Sequence, residues 1–269
     1  MDFPPSPATL LQGASSGILR ELLESELARA GQIPRGTPSA GPAASGTGPF
    51  EAALRRAPLP VIAEFKRASP SLGPFAAGAD PAERVAAYAR GGAAACSILA
   101  EPARFLGRPG DFARARAASG LPLLYKGFVC TEAHLDEAVA LGAQAVLLIA
   151  RMLGGHLPGF AAAARARGLE PLVELHELGE IPAAQAAQAR LVGWNARDLA
   201  DFSVGQAPIA SLRQAFPDQV LVRESGLGSP GQARAALDEG FNAVLIGEAL
   251  MRDPDPAGFL ARIGLSVPA

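Results

Sequence analysis

From residue 60 onward the chain alternates between short apolar runs and longer alanine-rich stretches, eight times over. The apolar runs fall at 61–65, 94–99, 121–125, 144–149, 171–175, 190–194, 219–223 and 242–246. The stretches that follow, at 80–90, 109–118, 131–141, 157–167, 177–189, 206–216, 229–239 and 256–263, read as helices. Several runs, such as AVLLI (145–149), hold no polar residue at all. A strand with no polar face is covered on both sides, the habit of a parallel sheet packed under helices. Repeated strand–helix units predict an α/β architecture. Eight of them predict a single (βα)8 TIM barrel. A doubly wound open sheet is the alternative. It usually carries a glycine-rich dinucleotide turn after its first strand, whereas this chain has Ser69-Pro70-Ser71 there.

Residues 1–50 read as an N-terminal extension, ahead of a barrel over 51–269. Within the extension, Ile18–Ala30 carries an apolar stripe of Ile18, Leu19, Leu22, Leu23 and Leu27, which predicts a helix. Residues 31–49 are mostly Gly, Pro, Ser, Thr and Ala, the composition of a flexible connector. The chain of 269 residues is 49% hydrophobic, enough for a large core, and its net charge of -2 argues against a nucleic-acid partner. No apolar run approaches the ~20 residues of a membrane helix, and the first residues lack the basic start of a secretory signal. Cys96 and Cys130 have neither metal-site nor disulfide spacing. They are expected to be buried, unreactive thiols in a reducing, cytoplasmic setting.

In a barrel of this kind, reactive groups sit where strands end on the C-terminal face. The first strand ends in Glu64 and Lys66, two apart and therefore on one face. Later strands run into Glu101 and Phe105, then Lys126, then Glu174 and His176, then Asn195, Arg197 and Asp198, then Glu224, Ser225 and Gly226, and last Gly247 and Glu248. Lysines and glutamates converging on one end fit acid–base chemistry on a small charged molecule. The glycine turns after the seventh and eighth strands let backbone N–H groups approach an anion, at the usual phosphate position of this fold. His176 is expected to pack beside its strand or cap the next helix, and His134 and His156 to lie at the surface. Trp194 is open between barrel packing and a wall against an aromatic substrate. Phe105 reads as a mobile lid aromatic or as ordinary loop packing, with the Gly and Pro around it favouring mobility.

These residues resemble the indole-3-glycerol phosphate synthase family. The resemblance covers roughly residues 50–263 and rests on AEFKRASPS (63–71), LVELH (172–176), GWNARDL (193–199), RESGL (223–227) and LIGEALM (245–251). It implies a cytoplasmic enzyme of tryptophan biosynthesis, with no metal or organic cofactor. The implied protein is a monomer, or one weakly associated with other enzymes of that pathway. The implied substrate joins a phosphosugar to anthranilate: 1-(2-carboxyphenylamino)-1-deoxyribulose 5-phosphate, which closes a ring and loses carbon dioxide and water. By the same resemblance Lys126 is the general acid at the ketone, and Lys66 pairs with the substrate carboxylate with help from Ser69. Glu174 and Glu64 move protons, while Asn195 and Glu224 orient the sugar hydroxyls and the lysines. Ser225, Gly226, Gly247 and Glu248 hold the phosphate, and Arg197 joins the substrate-binding set. Phe105, Phe128 and Leu147 form the slot for the ring.

The chain departs from the family pattern at several places. The Asp that usually follows the third-strand lysine is Gly127; other departures are Leu72, Ala100, Gln144 and Ala196. Two alternatives stand beside the synthase reading. A phosphoribosylanthranilate isomerase would need a Cys/Asp pair, where this chain offers Glu64 and Lys66. A divergent barrel that binds the ligand or a partner protein with weak or no turnover would be favoured by Gly127.

Overall fold

The structure is a computed structural model that describes residues 3–13, 17–33, 46–70, 72–197, 205 and 207–264. Eight parallel strands form its centre: β1 Val61–Phe65, β2 Ala95–Leu99, β3 Leu123–Lys126, β4 Ala145–Ile149, β5 Glu170–Leu175, β6 Leu191–Asn195, β7 Val220–Glu224 and β8 Ala243–Ile246. Each pairs with the next in sequence, and β8 pairs with β1, so the sheet is a closed barrel. The strands lie where the apolar runs predict them. β1, β2 and β4 are buried at every residue, as strands covered on both sides are.

Helices cover the outside, and their ends are written locally. Asp80 accepts the N–H of Ala82 and Ser229 that of Gln232, each with proline at the next position. The fifth predicted helix, 177–189, is shorter than expected. It becomes a turn of 3-10 helix at Leu178–Glu180 and an α-helix at Ile181–Ala186. Short helices follow β4 at Ala150–Leu153 and β8 at Glu248–Arg252.

Helices Pro7–Gly13 and Ile18–Ala30 precede the barrel. The apolar side of the second helix buries Leu22 and Leu23. Most of the expected connector, 34–45, and Asp198 lie outside the described residues. His134 is not at the surface as expected; it is fully buried. Its Nε2 is 3.1 Å from the Glu26 carboxylate, because the helix Ile18–Ala30 lies over it. Arg29 on that same helix makes two hydrogen bonds to Glu137, at 2.8 and 2.9 Å, and donates to the Tyr125 hydroxyl at 3.1 Å. Tyr125 immediately precedes Lys126, so the extension is fastened to the strand that carries the lysine. Cys96 and Cys130 are free and buried, and burial pushes both thiols up, Cys130 to about 12.

Candidate active site

The C-terminal mouth of the barrel holds a cavity of about 200 Å³, against the roughly 10–15 Å³ that one water needs. Glu64, Lys66, Ser69, Phe105, Lys126, Phe128, Leu147, Glu174, Asn195, Arg197, Glu224, Ser225, Gly247 and Glu248 all line it. Gly226 lines the adjoining groove, with Arg197, Glu248 and Arg252. Residues from all eight strands, or from the loops that follow them, thus meet at one place.

Barrel register explains the convergence. Glu174 on β5 stands beside Gly193 on β6, and Asn195 on β6 beside Glu224 on β7. All four belong to inward-facing positions. Lys126 reaches the same level from β3, its Nζ 3.2 Å from Glu174 Oε2 and hydrogen-bonded to Glu224 Oε2. A second pair sits nearby on β1, with Lys66 Nζ 3.0 Å from Glu64 Oε1. β2 separates the two lysine-bearing strands, so they are not neighbours in the sheet.

Glycine makes room for these charges. A Cβ on Gly193 would lie 1.9 Å from Glu224 Oε1, and one on Gly247 would lie 2.4 Å from Glu64 Oε1.

Burial and charge act against each other in the cluster. Burial works to lower the Lys126 amine, but the carboxylates of Glu224, Glu174 and Glu64 outweigh it and hold its pKa above the lysine range. Burial pushes Glu224 up to about 8, and the neighbouring Glu174 charge adds to the shift against Lys126. Burial also works to raise Glu174, but Lys126 and His176 overcome it and bring the group down to about 2. The two carboxylates are pushed in opposite directions and titrate as an interacting pair around the Lys126 amine.

The rim divides into a polar and an apolar side. Asn195 Oδ1 accepts the Ser225 hydroxyl and, at 3.2 Å, the Arg197 N–H. Ser225 and Gly226 have φ of 65 and 75°, the left-handed backbone that a tight turn of N–H groups needs. Opposite, the rings of Phe105 and Phe128 lie 6.1 Å apart, centroid to centroid.

Several sequence readings change here. Glu101 does not line the cavity; it accepts the N–H groups of Ala103, Arg104 and Phe105 at 2.7–3.0 Å and winds the loop that presents Phe105. Of the two expectations for His176, packing beside its strand holds, and the turn that follows is capped by Glu177. The His176 backbone N–H donates to Glu180 at 2.6 Å, and its buried ring sits 3.4 Å from Glu174 Oε1. Trp194 is buried and outside the cavity lining. A Cβ at Gly127 would meet the Tyr125 ring at 2.8 Å, on the helix-facing side. The backbone of Gly127 itself lines the cavity beside Lys126. Ser97 was not anticipated. It sits opposite Glu64 in register and donates to Glu64 Oε2 at 3.3 Å. The signal was a lone hydroxyl within ACSIL (95–99).

A closed barrel with a lysine–carboxylate cluster at its C-terminal mouth defines a (βα)8-barrel enzyme of acid–base chemistry. The family model described as indole-3-glycerol phosphate synthase matches residues 39–263. The chain belongs to that family. It is 46% identical to "Indole-3-glycerol phosphate synthase 2" of Streptomyces coelicolor over 209 residues, 77% of this chain and 81% of that one. It is 44% identical to "Indole-3-glycerol phosphate synthase" of an Arthrobacter species over 203 residues, 75% of each chain. A solved structure, thiamine phosphate pyrophosphorylase from Pyrococcus furiosus, matches with a TM-score of 0.54 at 17% identity, covering 76% of this chain and 92% of that one. That likeness speaks to the fold alone. No helix among the described residues is long and apolar enough to cross a membrane.

Proposed function

We propose that the chain converts 1-(2-carboxyphenylamino)-1-deoxyribulose 5-phosphate to indole-3-glycerol phosphate, carbon dioxide and water. The observation that carries this reading is the Lys126 amine between Glu174 and Glu224, inside a cavity with one aromatic wall and one rim of turn N–H groups. The anthranilate ring occupies the slot of Phe105, Phe128 and Leu147. Its carboxylate meets Lys66 and Ser69. The phosphate lies across the barrel at Ser225, Gly226, Gly247 and Glu248, held mainly by backbone N–H groups, and Arg197 adds charge at the same rim.

Chemistry follows from that pose. Lys126 donates its proton to the ketone oxygen as the ring carbon bearing the carboxylate attacks the ketone carbon. The carbon–carboxylate bond then breaks, its electron pair restores the aromatic ring, and carbon dioxide leaves. Lys66 is already paired with Glu64 at 3.0 Å, so its hold on the carboxylate is shared and does not trap it. In the last step the new hydroxyl takes a proton and departs as water, while the methylene beside the ring nitrogen gives one up. Glu174 and Glu64 handle these two transfers, and Asn195 and Glu224 orient the sugar hydroxyls and Lys126.

We place the activity in the cytoplasm, a setting that two free, buried thiols support. A fluorescence assay for indole-3-glycerol phosphate tests the reading. Lys126→Met should lower kcat by about 10²–10⁴, the usual worth of a positioned general acid. Near-full activity in that variant would overturn the assignment.

A further inference from the structure

Arg67 lies between the grip residues Lys66 and Ser69, yet it does not line the cavity. Strand alternation turns Lys66 inward and Arg67 outward, where its guanidinium lies over the Phe65 ring, 4.9 Å from the centroid. The side chain is 4% exposed and crosses to the segment after β2. There Nη1 donates to Asp111 Oδ2 at 2.5 Å and Nη2 to Asp111 Oδ1 at 2.7 Å. Nη1 also donates to the carbonyl of Leu106 at 3.2 Å. Leu106 directly follows Phe105 and has φ of 57°, a conformation that a leucine needs outside support to hold. The Arg67 carbonyl meanwhile accepts the N–H groups of Phe75 and Ala76, both at 3.0 Å, which closes the loop that carries Ser69.

Stability is a poor reason for this arrangement. Replacing a buried ion pair with apolar side chains of similar volume is often neutral or stabilising. Arg67 Nε also has no acceptor among the described residues. What a two-pronged arginine–carboxylate pair supplies is fixed distance and orientation. The elements it fixes are the loop after β1, with Lys66 and Ser69, and the loop after β2, with Phe105.

We propose that Arg67, paired with Asp111, is a positioning residue that sets the spacing between the carboxylate grip and the ring slot, and so the preference for an ortho-carboxylated aniline. The inference rests on the ligand pose given under Proposed function. Its consequence is selective. Loosening the clamp moves the grip relative to the slot, so a ligand that spans both loses most. A ligand that uses only the slot and the phosphate rim loses little.

Two unreactive substrate analogues with the ketone reduced to a hydroxyl test this, one with the ring carboxylate and one without. Affinities for the wild type, Arg67→Lys and Asp111→Asn are measured by calorimetry, with melting temperature followed in parallel. The wild type should prefer the carboxylated analogue. Each variant should bind that analogue ~10-fold more weakly, the scale of one weakened hydrogen bond to a charged group, with the other analogue changed less than about twofold. An equal loss on both analogues, or a preference kept at the wild-type ratio, overturns the proposal. Asp111→Asn keeps the shape of the pair and gives the same readout if Arg67→Lys does not fold. A wild type that binds neither analogue would overturn the substrate reading instead.

Discussion

Gly193→Ala should cripple the cluster without touching a charged group. The new methyl would sit 1.9 Å from Glu224 Oε1, while ordinary contact begins at 3.4 Å, so the carboxylate must retreat by about 1.5 Å. Backbone relaxation cannot absorb that shift cheaply, because Gly193 is paired with Glu174 on one side and Val222 on the other. A retreat of this size breaks the Lys126–Glu224 hydrogen bond. Misplacement by an ångström costs about 10²-fold in rate, which corresponds to about 2.7 kcal/mol of transition-state stabilisation. Overpacking also costs about 1–3 kcal/mol of stability, a fall in melting temperature of about 2–4 °C per kcal/mol for a chain of this size. Gly91→Ala separates the two effects. Its methyl would press on Ala257 and Leu260 at 2.9 Å, outside the cavity lining. Steady-state kcat at 25 °C, well below melting, should fall about 10²-fold for Gly193→Ala and stay near wild type for Gly91→Ala. A Gly193→Ala protein with kcat within about threefold of wild type would refute the claim that the missing side chain makes room for Glu224.

The proton distribution predicts pH behaviour of definite sign. Glu224, raised from an ordinary 4.5 to about 8, contributes stability that is full below 4.5 and is lost as pH rises through 8. Glu174, lowered to about 2, contributes stability that is full above 4.5 and is lost as pH falls toward 2. A pH–rate profile of kcat/KM should therefore fall on the alkaline side near 8, and Glu224→Gln should remove that limb; an unchanged limb in the variant sinks the assignment. Gly127→Asp should lose about 1–3 kcal/mol of stability through its clash with Tyr125 and gain no turnover. A several-fold rise in kcat would show that the acid acts on Lys126 after all.

The barrel was legible because its signal is local: apolar runs without a polar face, each followed by a helical stretch, leave little choice of architecture. The inward charges were legible for a related reason. Glu64, Lys126, Glu174, Asn195 and Glu224 each end an apolar run, where a polar residue stands out. What escaped was pairing across the chain. His134 read as a surface residue because nothing near it in sequence names Glu26, and the direction of the Lys126 shift depended on counting carboxylates from β1, β5 and β7.

These gaps share one geometry. A strand turns successive side chains to opposite faces, so an inward reactive group at a strand end is flanked by outward ones. Beside Lys126 stands Tyr125, whose hydroxyl bonds Glu137 at 2.6 Å and takes a hydrogen bond from Arg29. Beside Lys66 stands Arg67, forked onto Asp111. The inward residue can be read from the run it ends. How firmly it is aimed depends on its outward neighbour, whose partner lies on another element. For Tyr125 the partners are Glu137 on the helix after β3 and Arg29 on the helix before the barrel, so the extension helps hold the proposed general acid without reaching into the cavity.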